Sequence, residues 1–196
     1  MFGRPKYLTE SRFRRLSKGL EGGHWVSRSN HERWLYHKSS ISLLRKLGLK
    51  NSHSVLEIGT MGIKCVGSSD TLDYLDRWDF PGKDPTFAHD ARMIPWPIPD
   101  KAYDFIIALR VFQHLAPKQR EAFAEARRVS RHVILVAPAT YDNEVLPNAR
   151  GIRYEEFVDF CNGYHPNYFE PTPYGDLYHW DTLNPTTRIH PARKRF

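Results

Sequence analysis

Cysteine is nearly absent from this sequence, with only Cys65 and Cys161 in 196 residues. Two such residues, far apart and without a second pair, exclude a disulfide framework and a four-ligand zinc site. They read as small buried hydrophobes of a reducing compartment, and a cytoplasmic location is the expectation. Long apolar runs are missing too: no stretch approaches the roughly 20 residues that a helical membrane span needs. The opening MFGRPKYLTESRFRRLSKGL is charged throughout and lacks the apolar centre of a secretory signal. Internal repeats and low-complexity tracts are absent, which argues against a solenoid or a disordered chain. Metal-ligand spacing is also lacking. His31 and His37 fall on different sides of a helix, and the neighbours His89 and Asp90 make only a two-ligand pair, so no metal is expected.

What is present points to one core of ordinary size, since 40% of the residues are hydrophobic. The net charge of +7 is unevenly spread. Residues 1–50 hold twelve Lys or Arg against three Asp or Glu, and the rest holds seventeen against nineteen. We therefore read 1–49 as a basic helical N-terminal extension or cap, and 50–196 as the main domain. The basic excess is either a solvated helical surface or an attraction for an anionic partner or substrate.

Residues 30–47 have helical periodicity, with Gly48 as a stop. SVLEIG is a short strand. KCVGSSDTLDY holds a second strand, and PTFAHDA a short third. YDFIIALRVF is a continuous apolar strand of the kind found in the centre of a parallel sheet. KQREAFAEARRVS is an amphipathic helix, followed by the buried strand HVILVAPA. RGIRYEEFVDFCNG gives a short helix, and NYFEPTPYGDLYHWD two edge strands around a Pro/Gly turn. The expectation is an α/β fold: a Rossmann-like, mostly parallel sheet with helices on both faces and C-terminal antiparallel edge strands.

Open parallel sheets bind ligands beyond the carboxyl ends of their strands. The first strand ends at Glu57-Ile58-Gly59, and Gly59 and Gly62 allow the backbone to approach a ligand. An acidic residue ending the second strand, Asp70 or Asp73, would accept hydrogen bonds from ribose hydroxyls. Asp90 follows the third strand, and IALRVFQHL closes the fourth.

VLEIG, an acidic residue, HDARMIPWPIPDKAYDFIIALRVFQHL, EAFAEARRV and HVILVAPA occur in that order. The set resembles the class I S-adenosylmethionine-dependent methyltransferases, most of all their small-molecule, type-11-like branch, over about residues 50–140. The resemblance implies S-adenosyl-L-methionine as cofactor. It implies that Glu57 and the turn Gly59-Thr60-Met61-Gly62 lie beside the methionine part. Asp73 or Asp70 would hold the ribose, and Asp90 and Ala91 would flank the adenine. Leu109 and Arg110 would line the floor, and His114 would sit near the methyl group. A general base assists a hydroxyl acceptor, and an imidazole titrates in the useful range. His114 is therefore the candidate base, with packing under the adenine or a backbone hydrogen bond as its structural alternative. Arg110 either binds a substrate carboxylate or phosphate, or pairs with Asp90 or another acid. Trp25, Trp34 and Tyr36 are lid residues or ordinary core aromatics.

The chain departs from the resemblance at one place. Gly59 and Asp73 are only fourteen residues apart, too few for a full helix and its loops. The first crossover is either a one-turn helix or a loop. A loop aims fewer N–H donors at a ligand, but the zwitterionic methionine end needs no phosphate cradle. The expected activity is methyl transfer to a small-molecule or sugar-containing acceptor at oxygen. The alternatives are an inactive scaffold of the same fold and a nucleic-acid-binding or RNA-modifying protein.

Overall fold

The computed structural model describes residues 5–18, 27–73, 85–140, 148–172 and 174–189, the side chains of 27–30 excepted. Its elements are α1 (Glu10–Lys18), α2 (Ser27–Lys46), β1 (Val55–Ile58), β2 (Asp70–Asp73), β3 (Phe87–Ala88), β4 (Tyr103–Leu109), a 3-10 turn (Phe112–Leu115), α3 (Gln119–Val129), β5 (Ser130–Ala137), α4 (Tyr154–Phe160), β6 (Tyr168–Glu170) and β7 (Asp176–Asp181). The strands form one sheet in the order β3-β2-β1-β4-β5-β7-β6. The first five are mutually parallel, and β7 runs antiparallel to both β5 and β6. This is the expected Rossmann-like sheet with an antiparallel edge, in which β7 is the inner strand and β6 the outermost.

Alternation along the strands splits the core in two. Val55, Phe105, Ile107, Ile134, Val136 and Leu177 face one side, where Leu8, Phe13 of α1 and Tyr36 and Leu44 of α2 cover them. Leu56, Ile106, Val133, Leu135, Tyr178 and Trp180 face the other, under Phe123 of α3 and Phe157 of α4. The described part of residues 1–49 thus caps one sheet face and shares its core. α2 ends as its sequence requires: Gly48 takes φ 73°, and the Leu49 N–H returns to the Leu44 carbonyl at 3.1 Å.

The first crossover, residues 59–69, is a loop without a helix. Three devices hold it. Glu57, 2% exposed on β1, accepts hydrogen bonds from the Cys65 N–H (2.7 Å), the Val66 N–H (2.9 Å) and the Ser69 hydroxyl (2.7 Å). An N-terminal arm lies along the outer side, where the Leu8 N–H donates to the Cys65 carbonyl and the Gly67 N–H to the Lys6 carbonyl, both at 2.8 Å. Ile63, Cys65 and Val66 fill the space below as part of the core. Backbone groups that a helix would satisfy internally are satisfied here by a carboxylate and a neighbouring extended segment.

Two buried histidines make this fold acid-sensitive. His37 Nδ1 lies 2.7 Å from the Arg33 carbonyl, and His179 Nε2 lies 3.1 Å from His132 Nδ1. Burial pushes both His37 and His179 down to about 4. An unfolded histidine takes up protons below about 6.5, whereas these two refuse them until about pH 4, so stability falls as pH drops through that window. Asp73, raised to about 6, works in the opposite direction and recovers part of the loss. Urea unfolding is expected to give a stability about 2 kcal/mol lower at pH 5 than at pH 7, with a smaller difference in His179→Phe.

Candidate active site

The carboxyl ends of the parallel strands form one rim. There β1 ends at Ile58 ahead of Gly59, β2 at Asp73, β3 at Ala88 ahead of His89 and Asp90, and β4 at Leu109 ahead of Arg110. Pairing fixes the levels: Ile58 lies opposite Leu72 and Ala108, Asp73 opposite Ala88, and Leu109 opposite Val136. Asp70 is opposite Leu56 and three residues lower on the same strand. Its carboxylate takes the Tyr103 hydroxyl at 2.7 Å and the Thr86 hydroxyl at 3.3 Å, away from the rim.

The turn after β1 is left-handed at Gly59 (φ 66°), Met61 (φ 50°) and Gly62 (φ 79°). A side chain at Gly59 would also collide with Val111, whose Cγ2 would lie 2.5 Å from the added carbon. The turn closes on Asp73. The Thr60 hydroxyl donates to its carboxylate at 2.9 Å and accepts the Gly62 N–H at 3.2 Å. Burial pushes Asp73 up to about 6, against the pull of the Thr60 hydroxyl and the backbone N–H groups of Thr60, Met61 and Gly59. A carboxylate held partly desolvated at the edge of a glycine turn has a reserve of hydrogen-bonding capacity for a ligand's hydroxyls.

Asp90 is grasped by Arg92 through Nε at 3.0 Å and Nη2 at 2.6 Å, and that guanidinium holds its carboxyl below the usual range. The Asp90–Arg110 pairing is thereby not made. Ala91 is buried, and its carbonyl accepts the Trp96 indole N–H at 3.0 Å, which fixes the loop after β3. Glu57 lies beneath the turn with both oxygens engaged by the loop. Leu109 packs at the margin of the α1–α2 core. His114 is exposed on the 3-10 turn that follows β4. Its Nε2 lies 3.2 Å from the Gln113 amide nitrogen. The amide donates, so a neutral ring carries its hydrogen on Nδ1. Tyr36 is buried in the core, Trp34 packs against Phe13 at 5.7 Å, and Trp25 lies outside the described residues.

Sequence reasoning missed the arm of Lys6–Leu8 and the engagement of Glu57 by Ser69. Neither carries a local signal, because both depend on pairing across long separations in the chain. Cys65 and Cys161 are both free and buried, and burial raises both thiols. Among the described residues no group of three or more His, Cys, Asp or Glu is placed to hold a metal, and no helix is long and apolar enough to cross a membrane.

A seven-stranded sheet of this order, with its antiparallel edge, has the class I methyltransferase fold. Residues 61–133 match the family described as a methyltransferase domain. That match spans 73 of the 196 residues, and it falls on the crossover, the strands β2 to β4, α3 and the start of β5. Solved structures agree on the fold. Magnesium protoporphyrin IX methyltransferase from Synechocystis PCC 6803 with bound S-adenosylmethionine aligns at a TM-score of 0.53 and 15% identity, over 85% of this chain and 88% of that one. An S-adenosylmethionine-dependent methyltransferase from Aquifex aeolicus aligns at 0.50 and 14%, over 88% and 97%. A chain of the complex between the Haloferax volcanii methyltransferase activator Trm112 and its methyltransferase aligns at 0.50 and 15%, over 84% and 80%. No curated protein sequence matches the chain.

Proposed function

We propose that this protein transfers the methyl group of S-adenosylmethionine to a hydroxyl of a small molecule or a sugar-containing acceptor. The observation that carries the reading is the Thr60–Asp73 contact, which draws the left-handed turn and the strand-two carboxylate together at the rim. The residues fit the cofactor: the left-handed turn at Gly59, Met61 and Gly62 brings bare backbone to the rim, and Asp73 can exchange the turn's donors for ribose hydroxyls. Of the two aspartates, Asp73 is our choice for the ribose, since Asp70 is committed to Tyr103 and Thr86.

When bound, the cofactor supplies an electrophilic sulfonium methyl group. The chain's own part is mainly positioning. Thr60, Met61 and Gly62 would hold the methionine end, on a turn supported from below by Glu57. Asp90 and Ala91 would flank the adenine, and Leu109 with the backbone of Arg110 would form the floor. His114 takes the acceptor's proton, which requires its contact with Gln113 to be exchanged for the acceptor hydroxyl. The excess of Lys and Arg in the N-terminal segment favours an anionic partner or substrate. Buried, widely separated thiols suit the cytoplasm, where we place the protein.

Calorimetry with S-adenosylhomocysteine is the direct test. Binding in the micromolar range that weakens below pH 6, up to tenfold per pH unit, supports Asp73 as the titrating ligand. An absence of binding overturns the enzyme reading in favour of a scaffold. In a second assay with methyl-labelled S-adenosylmethionine, transfer of label to RNA and to no small-molecule or sugar hydroxyl overturns the acceptor class.

A further inference from the structure

Arg110 closes β4 in left-handed backbone, with φ 57°, a conformation that a long L side chain seldom adopts without cause. Two contacts pin it there. Its N–H donates to the Val136 carbonyl at 2.7 Å, and its own carbonyl accepts the Gln113 amide at 2.6 Å. The next residue, Val111, is the side chain that packs against Gly59, so Arg110 begins where the cofactor turn ends. Its guanidinium is turned toward the segment ahead of β7, where Nη1 donates to the Tyr174 carbonyl at 2.6 Å. On the other side is Tyr36 of α2, buried, which senses the charges of both Arg33 and Arg110.

This guanidinium is half-buried, and among the described residues no carboxylate pairs with it. Asp90, the acid expected to do so, is taken by Arg92. One of its five donors is used, on a carbonyl, and its remaining edge has the fork geometry that matches two oxygens of one anion. A half-buried charge with no carboxylate beside it is open to an anion from solution. We propose that Arg110 is the acceptor's anion subsite: the molecule that is methylated carries a carboxylate or phosphate, gripped by Arg110 beside the methyl-transfer position. The inference rests on the methyl-transfer reading for the identity of the anion's owner, but the subsite itself can be tested without it.

The probes are sodium benzoate and inorganic phosphate, with benzamide as the neutral counterpart of benzoate, titrated at constant ionic strength into unloaded and S-adenosylhomocysteine-loaded protein. Saturable binding of at least one anion, at least tenfold tighter than benzamide, is expected. Preference for benzoate points to a carboxylate acceptor, and preference for phosphate to a phosphorylated one. Arg110→Gln should remove the preference, Arg110→Lys should keep part of it for phosphate, and Arg12→Gln on α1 should leave it intact. Equal binding in Arg110→Gln, or no saturable binding of either anion to the folded protein, overturns the subsite. Should Arg110→Gln fail to fold, phenylglyoxal labelling of the wild type decides: Arg110 must be modified and must be protected by the preferred anion, and labelling unaffected by the anion refutes the proposal. Failure of S-adenosylhomocysteine to bind while anion binding survives would sink the enzyme reading alone.

Discussion

Asp73→Asn is expected to produce a protein that melts at a higher temperature and no longer holds its cofactor. Both effects come from the same carboxylate. Its pKa rises from 3.8 to about 6 because burial disfavours the charge more than Thr60 and the turn's N–H groups favour it. A folded-state value above the unfolded one means that this group's contribution to stability is present below about pH 4 and is lost as pH rises through about 6. At neutral pH the charged form carries a penalty of up to about 3 kcal/mol. Asparagine keeps an oxygen for the Thr60 hydroxyl and removes the charge. A gain of about 2 kcal/mol, or roughly 5 °C in a chain of this size, should follow in a thermal melt at pH 7.5. The amide accepts two ribose hydroxyls poorly, so S-adenosylhomocysteine affinity should fall about 100-fold. A variant that is less stable, or that binds as well as the wild type, would break the link between the strain at this residue and its function.

The second large effect is at Glu57. Glu57→Ala would leave the Cys65 and Val66 N–H groups without their acceptor in a dry interior, while the Ser69 hydroxyl keeps the Val66 carbonyl at 2.8 Å. Each buried N–H left unsatisfied costs about 1–3 kcal/mol, and relief of the burial that raises the Glu57 carboxyl offsets part of this, so a net loss of about 2–3 kcal/mol is expected. The loss should appear as an earlier urea midpoint together with undetectable cofactor binding, because the turn at Gly59–Gly62 stands on the same loop. Glu57→Gln keeps one acceptor and should lie between. A loss below about 1 kcal/mol in Glu57→Ala would mean that the loop is held by the arm and the core alone.

These two carboxylates also mark where sequence reading succeeds and stops. YDFIIALRVF and HVILVAPA are legible as central strands because both faces of β4 and β5 are buried, which demands continuous apolar runs. The rim aspartates are legible as types at the right ends of strands. Choosing between Asp70 and Asp73 is not, because three residues of shift is a matter of register with β1, and register is a long-range property. KCVGSSDTLDY does hold the second strand, at Asp70–Asp73, but the strand's bounds are not legible, since Cys65 and Val66 turn into the core and Val66 bridges to Tyr7 instead. α1 lies in a charged stretch and buries only Phe13 and Ser17, too weak a pattern to read. Arg110 is visible as an oddity, but the Arg92–Asp90 pair that leaves it without a carboxylate appears only in three dimensions.

The short extended piece at Lys6–Leu8 matters for anyone seeking the smallest active fragment. A polypeptide trimmed to begin near residue 50 would retain all the recognisable signature elements of its class, strand by strand. It would nonetheless lose the strip that Cys65 and Gly67 lean on, together with the helices that shield one flank of the sheet. Catalytic competence here should thus require the far N-terminal residues, although they carry no signature of their own.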